Sequence, residues 1–202
     1  MLVVFDLDGT LIDSSQSLLK AHDIAWARYG LARPSDEAIL DLVGLPLLDT
    51  MLALAPNQDP ERLARAYSDA YAETSKRYET LFDGVHALLA RPFRAAVATG
   101  KSQRGAERAV ERHGLTHRFE VVRGGDSVPR PKPNPDLLAA IMKDTGTQEL
   151  VMVGDTTYDL EMAHRAGVRA IGVSWGHHSV ARLAEWAPVV HSMDALGRCL
   201  NV

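Results

Sequence analysis

The sequence lacks several features that would place it in a specialised class of protein. Its only cysteine is Cys199, so an internal disulfide framework and a zinc site built from cysteines are both excluded. Its formal net charge is -4, without the basic excess that nucleic acid or an anionic membrane surface would attract. No segment approaches the roughly 20 apolar residues that span a bilayer, and there are no repeats. These absences predict a globular protein with one core and room for a small appended lobe.

The start of the chain and its cysteine content indicate a cellular compartment. The chain opens directly into an apolar run, which leaves no room for a signal peptide. A single cysteine also suits a reducing compartment. We therefore expect a cytoplasmic protein that binds neither nucleic acid nor membrane.

Two carboxylates follow the first apolar run. Residues 2–5 have the length and composition of a short buried strand, and Asp6 and Asp8 come directly after it, followed by Gly9 and Thr10. Two neighbouring buried anions are costly unless a cation or chemistry compensates. With Mg²⁺ held by oxygen ligands, one carboxylate can attack phosphorus while the other protonates the leaving oxygen. The alternative is a solvated Asp-Gly turn at the end of a strand.

The chain changes character at about residue 80. Helical spacing dominates residues 15–79, whereas strand and helix patterns alternate afterwards. Such alternation predicts an α/β fold: a Rossmann-like parallel sheet with helices on both faces, built from residues 1–14 and 80–202. Residues 15–79 are then an inserted all-helical cap. The strands after residue 80 are expected at 94–98, 119–122, 150–153 and 170–174, and the helices near 102–113, 135–144 and 158–166.

Polar residues also follow two later strands. Asp155 ends an apolar strand and Asp159 lies four residues on, so the two can complete an oxygen cage for Mg²⁺ or serve as helix-capping acids. Thr99 and Gly100 end another strand before a helix start, where a hydroxyl and free N–H groups suit phosphate oxygens. A plain capped helix is the alternative there. Lys132 lies among three prolines, whose stiff backbone can hold its charge on a phosphate, although a surface lysine also fits.

With these four elements in order, the chain resembles the haloacid dehalogenase superfamily of phosphotransferases over nearly its whole length. The resemblance implies that Asp6 is the nucleophile that becomes an aspartyl-phosphate. It implies that Asp8 is the general acid and then the base for hydrolytic water. It further assigns phosphate binding to Thr99, Gly100 and Lys132, and assigns Mg²⁺ to Asp6, the backbone carbonyl of Asp8, Asp155 and, in support, Asp159.

Several residues narrow the subgroup within that resemblance. Asp8 disfavours dehalogenases and phosphonoacetaldehyde hydrolases, which lack the second acid, and Thr10 disfavours phosphomutases of the β-phosphoglucomutase type. Gly100 departs from the pattern, since many relatives have asparagine there. Three stretches are similar to phosphoglycolate phosphatases, namely 44–47, 124–127 and 175–178.

The predicted function is Mg²⁺-dependent hydrolysis of a small phosphate monoester similar to phosphoglycolate. Hydrolysis of pyrophosphate or a sugar phosphate, and phosphomutation, are alternatives within the superfamily. A non-catalytic phosphate-binding regulatory module is a further alternative. The expected partner is a small phosphorylated metabolite, and the expected state is a monomer or homodimer.

Histidines and arginines outside these motifs have structural interpretations. His22 is expected on the cap face, and His177 and His178 in a loop at the edge of the site or in solvent, without binding metal. Helical spacing puts three arginines on one stripe, for which a solvated face is expected. They are Arg104, Arg108 and Arg112.

Overall fold

The computed structural model describes residues 1–202 and contains a six-stranded parallel sheet with the strand order β5-β4-β1-β6-β7-β8. The first strand lies at its centre, where Val4 pairs with Ala96 on one side and Met152 on the other. The strands of this sheet are β1 (Leu2–Phe5), β4 (Arg94–Ala98), β5 (Val121–Arg123), β6 (Leu150–Gly154), β7 (Arg169–Val173) and β8 (Val189–Val190).

Helices cover both faces of this sheet. Val3 and Phe5 belong to one core cluster, whereas Leu2 and Val4 belong to another on the opposite face. All four residues are fully buried, which explains why β1 is a continuous apolar run and not an alternating one. The predicted α/β fold class is confirmed. The covering helices are α5 (Val85–Leu89), α6 (Gln103–Arg112) and α10 (Met193–Leu200) on the first face, and α7 (Asp136–Thr145) and α8 (Thr157–Arg165) on the second.

The remaining helix of this part is α9 (Val180–Ala184), and short 3₁₀ turns cover Thr116–Arg118 and Gly125–Ser127. The strand expected at 119–122 lies at Val121–Arg123, and Glu120 N, just before it, donates to Ala95 O at 2.8 Å. The edge strand β8 was not predicted, since a pair of residues is too short to show a periodicity. No helix combines the length and the apolar character that crossing a membrane requires.

Along the chain, four helices come between the first strand of the sheet and its other strands. They enclose their own core around Trp26, Met51 and Leu63. The helix that Ser35 caps ends at Leu40, and a separate helix follows the turn at Gly44, whose φ of 100° favours glycine. The assignment of this region as a separate cap stays a prediction. Its helices are α1 (Ser15–Ala27), α2 (Asp36–Leu40), α3 (Leu47–Leu54) and α4 (Pro60–Tyr78).

Both connections of this helical block run through one antiparallel ribbon. The strands β2 (Ile12–Asp13) and β3 (Thr80–Leu81) pair with each other, Ile12 opposite Leu81. The entry and exit of the block are therefore side by side, next to the carboxyl end of β1.

Candidate active site

Asp6 continues the central strand into the site. Its backbone N–H donates to Val153 O at 3.0 Å, and its Oδ1 accepts a hydrogen bond from Leu7 N at 2.7 Å. Oδ2 is buried and has no hydrogen-bond partner. The following turn requires glycine, because Gly9 has a φ of 75° and a Cβ there would lie 2.1 Å from Asp155 Oδ2. The fold thus buries a carboxylate with one free oxygen and brings the turn after it against a second carboxylate.

Lys132 supplies a buried positive charge beside Asp6. Its Nζ lies 3.1 Å from Asp6 Oδ1 and also donates a hydrogen bond to Asp159 Oδ1, and its side chain is fully buried. Burial lowers the pKa of this amine, but the charges of Asp159 and Asp6 outweigh that effect and raise the pKa above its ordinary value. Lys132 is therefore a fixed ammonium that two carboxylates share.

Asp155 directly follows the neighbouring strand β6, and Asp159 lies in the first turn of the helix α8 that comes next. Asp155 Oδ1 accepts from Thr10 Oγ1 at 2.8 Å, and Oδ2 accepts from His177 N at 2.8 Å. Asp159 forms a capping box with Thr156 at the start of α8. Carboxylate oxygens of Asp6, Asp155 and Asp159 lie within 4.8 Å of one another. Adjacent parallel strands ending at one sheet edge bring these acids together.

This cluster has more negative than positive charge. The pKa of Asp6 rises from 3.8 to about 7, chiefly through burial; Lys132 opposes the rise, and Asp159 and Asp155 add to it. Since Lys132 is shared, it cannot offset all of these acids. Three buried carboxylates with an unpartnered oxygen on Asp6 form an oxygen-only donor set, which fits Mg²⁺. The negative charge of these buried acids is therefore balanced only when a further cation or a proton is present in the site.

Asp8 points to a different set of partners. Its Oδ2 lies 2.9 Å from Lys101 Nζ, and its Oδ1 is buried without a hydrogen-bond partner. Its side chain is absent from the three-carboxylate cluster, so its assignment to the metal depends on its backbone carbonyl and stays a prediction. Sequence reasoning missed Lys101 as a site residue, although its position two residues after Thr99 at the sheet edge was a usable signal.

Glu79 joins this second set at the exit of the helical block. Its fully buried side chain accepts from Tyr71 OH and from Arg112 Nη1, and Lys101 Nζ lies 3.5 Å away. Burial raises the pKa of Glu79, but the nearby His113 ring, the charge of Lys101 and the bond from Tyr71 bring it down from 4.5 to about 2. Glu79 therefore links α4, the loop after β4 and α6.

We expect replacement of Glu79 by glutamine to destabilise the protein by roughly 3 kcal/mol at pH 7, as a pKa shift of this size implies. Because the folded pKa is depressed, this stabilisation is present above pH 4.5 and is lost as the pH falls toward 2. Urea unfolding of wild type and Glu79→Gln at pH 7 and at pH 3 measures it. The gap narrows at pH 3, whereas Glu73→Gln, at an exposed site on the same helix, changes little. An equal gap at both pH values would contradict a role for the Glu79 charge.

Thr99 and Gly100 directly follow β4, beside the helical block. Thr99 is buried, its N–H donates to Arg123 O at 3.0 Å, and its Oγ1 lies 3.4 Å from Lys101 N. A Cβ at Gly100 would lie 2.4 Å from Gly44 O. The close approach of the Gly44 loop therefore explains why this chain has glycine at position 100.

A cavity of about 1050 Å³ lies between the helical block and the sheet edge. Asp6, Asp8 and Thr99 line its floor, and Val43 and Tyr71 belong to the opposite wall. A ligand in this cavity therefore contacts both the strand-end carboxylates and the inserted helices.

The other expected residues have mixed outcomes. His22 is buried against Trp26 and Tyr67, and burial lowers its pKa to about 4, so it is neutral inside the helical block. His177 lies at the edge of the site, with Nδ1 2.8 Å from Asp155 Oδ2. His178 is buried, and its Nε2 lies 3.0 Å from Asp41 O.

The arginine stripe is exposed, as expected, but this face is not occupied by solvent alone, and Arg112 shows the difference. This side chain pairs with buried Glu79, and all three arginines of the stripe line the cavity. These contacts were not predicted, because helical spacing shows that residues share a face but does not show what that face meets.

Together, the parallel sheet, its three clustered carboxylates and the buried lysine define a hydrolase of the haloacid dehalogenase type, and the chain belongs to the haloacid dehalogenase-like hydrolase family, whose model matches residues 3–173. The predicted identification as a phosphatase of this superfamily is confirmed. The chain is 35% identical to the probable phosphatase IndB of Dickeya dadantii, over 94% of this chain and 87% of that protein.

The chain is also similar to two other named proteins and to a solved structure. A phosphoglycolate phosphatase of Vibrio cholerae is 30% identical, over 100% of this chain and 96% of its own length. The tyrosine-protein kinase PtkA of Mycobacterium tuberculosis is 32% identical over 87% of this chain, which spans 62% of that protein. A haloacid dehalogenase-like hydrolase of Streptococcus pneumoniae shares the fold, with a TM-score of 0.89 at 22% identity over 98% of this chain and 97% of that one.

Proposed function

We propose that this protein is a Mg²⁺-dependent phosphatase that hydrolyses a small phosphate monoester, phosphoglycolate or a compound like it, through an aspartyl-phosphate on Asp6. The observation that carries the proposal is the free, buried Oδ2 of Asp6, on a carboxylate that lines the cavity and pairs with Lys132. The similarity to a phosphoglycolate phosphatase over the whole chain supports the substrate class. A phosphorylated metabolite as partner and a cytoplasmic location belong to the same proposal.

The donor set supports a magnesium site. We propose that the side chains of Asp6, Asp155 and Asp159 and the backbone carbonyl of Asp8 hold the ion. When bound, Mg²⁺ supplies positive charge that offsets the carboxylates and the transferring phosphoryl group. The two hydrogen bonds that fix Asp155, from Thr10 and His177, orient its carboxylate for this purpose.

The first chemical step belongs to Asp6 and Asp8. A carboxylate oxygen of Asp6 forms a bond to phosphorus while the bond from phosphorus to the leaving oxygen breaks. Asp8 gives its proton to that oxygen, and Lys101 at 2.9 Å stabilises the carboxylate that remains. Lys132 holds its charge beside Asp6 throughout.

The second step reverses the role of Asp8. Its carboxylate takes a proton from a water molecule, which attacks phosphorus, and the bond between phosphorus and Asp6 breaks. Inorganic phosphate leaves and Asp6 is again a free carboxylate. Thr99 and the backbone at Gly100 are proposed to bind phosphoryl oxygens during both steps.

The helical block is proposed to act as a cap. Residues 15–79 join the sheet through a single two-stranded ribbon, so the block can pivot there as a unit. Closure over the cavity excludes bulk water from the phosphoryl group, and opening releases the product.

Phosphate release from a panel of substrates tests the proposal. The panel contains phosphoglycolate, pyrophosphate, hexose monophosphates and nucleotide monophosphates, each with Mg²⁺ and with EDTA. We expect turnover that requires Mg²⁺ and is fastest with phosphoglycolate or a similarly small monoester. Preference for pyrophosphate or a hexose phosphate would contradict the proposed substrate class. Absence of turnover with every compound would contradict phosphatase action on them.

A further inference from the structure

Two arginines on one helix face the cavity that contains Asp6 and Asp8. Ala106 and Val110 of α6 are buried in the core beneath the sheet, which turns another face of the helix outward. Arg104 and Arg108 are exposed there and line the cavity. Residues four apart lie on one side of a helix, with a rise of about 6 Å between them. The two guanidinium groups therefore form a short basic row that leads away from the strand-end acids.

The other cations that line the cavity already have carboxylate partners. Lys101 lies beside Asp8, and Arg112 pairs with Glu79. On the helical block, Lys76 Nζ lies 2.8 Å from Glu73 Oε1.

In contrast, neither Arg104 nor Arg108 has a carboxylate oxygen within 4.0 Å. The nearby wall acid Asp126 accepts the backbone N–H of Gln103 at 2.6 Å. The row thus keeps its charge available for a ligand.

The opposite wall offers little to an anion. Ile39, Leu42 and Val43 of the helical block are apolar and line the same cavity. His22, which also lines it, is buried, and burial keeps it neutral near pH 7 by lowering its pKa to about 4. Of the two walls, only that formed by α6 therefore has free positive charge that can bind a second anionic group of the substrate.

We propose that Arg104 and Arg108 bind a second anionic group of the substrate, a carboxylate or another phosphate, while its phosphate monoester lies at Asp6. The planar guanidinium fork matches both groups and can bind either with two parallel hydrogen bonds. The inference rests on the proposed function and makes its substrate class narrower: phosphate monoesters with a second negative charge. A cavity of about 1050 Å³ has room for substrates larger than phosphoglycolate, and Arg108, a turn further along α6, would serve the longer ones.

Matched pairs of substrates test this role. Each pair differs in the second charge: phosphoglycolate with hydroxyethyl phosphate, phosphoglycerate with glycerophosphate, phosphogluconate with sorbitol phosphate, and fructose bisphosphate with fructose monophosphate. We expect the double variant Arg104→Ala/Arg108→Ala to lower kcat/KM for the doubly anionic members by roughly tenfold to a hundredfold, mainly through KM. The matched members with a single anionic group change less than about threefold. The carboxylate pairs and the bisphosphate pair separate the two sources of charge.

Conservative and control variants accompany the double variant. Lysine at both positions should restore part of the preference, since it keeps the charge but not the planar fork. Arg198→Ala removes an exposed arginine of α10 away from the cavity and should leave both members of each pair unchanged. Equal losses for both members of every pair, or no loss, would overturn the inference.

Binding measurements separate this inference from the proposed function. Calorimetric titration of the same pairs into Asp6→Asn, with and without the two arginine substitutions, needs no turnover. Tighter binding of the doubly anionic members that depends on Arg104 and Arg108 supports the site even where no compound is hydrolysed, a result that would count against the proposed function alone. Equal binding of both members would overturn the anion site and leave the phosphatase proposal intact.

Discussion

Replacement of Asp6 by asparagine abolishes phosphate release, with an expected loss on the order of ten-thousandfold or more, because an amide cannot replace the carboxylate nucleophile. The change preserves shape, and the amide oxygen can still accept the hydrogen bond from Leu7 N. Initial rates of phosphate release with excess Mg²⁺ measure the loss. Asp69→Asn, at an exposed position on α4, is the control and should keep wild-type activity.

The same substitution should stabilise the metal-free protein. The pKa of Asp6 is raised from 3.8 to about 7, so above pH 4 the folded state bears a cost for the buried charge that the unfolded state does not. The cost grows up to about pH 7, and asparagine removes it. A higher unfolding temperature for Asp6→Asn than for wild type at pH 8 in EDTA is the expected result. A variant that is both inactive and less stable would indicate damage to the fold instead.

Replacement of Asp8 by asparagine separates the two chemical steps. Without a proton donor, turnover of alkyl phosphates should fall by roughly a hundredfold to ten-thousandfold. A substrate with a good leaving group, p-nitrophenyl phosphate, needs no proton in the first step, so phosphoryl transfer to Asp6 should stay fast. Loss of the base then slows the second step.

We therefore expect Asp8→Asn to release one equivalent of p-nitrophenol in a burst, followed by slow turnover. Stopped-flow absorbance measures the burst directly. Asp8→Glu, which keeps an ionisable group, should regain part of the steady-state rate. Equal losses for both kinds of substrate, with no burst, would contradict the role of Asp8 as acid and base.

Local sequence patterns were sufficient to predict five of the six strands of the sheet and the position of the strand-end acids. Each apolar run that ends in a polar residue marks a strand whose carboxyl end lies at the common edge. Because β1 and β6 are neighbours, Asp6 and Asp155 meet there. The helix α3, in contrast, was not predicted as a separate element, since its Leu47–Leu54 stretch is apolar on nearly every side and shows weak periodicity.

Long-range ion pairs could not be predicted from the same patterns. Asp8 and Lys101 are distant in sequence, as are Glu79 and Arg112, and nothing local shows which acid meets which base. The arginine stripe has the same limitation, because its spacing gives a shared face but its surroundings depend on the helical block. The partners of the acid at Asp8 therefore emerged only from the three-dimensional fold.

Detection of a phosphoryl group on Asp6 tests the central claim most directly. Protein quenched in acid during turnover with Mg²⁺ and an active substrate is digested and analysed by mass spectrometry, with Asp6→Asn treated identically. We expect one phosphoryl group on Asp6 of wild type, increased in Asp8→Asn and absent in Asp6→Asn and in EDTA. Steady turnover with no phosphoryl group on Asp6 in either wild type or Asp8→Asn would contradict covalent transfer to this residue.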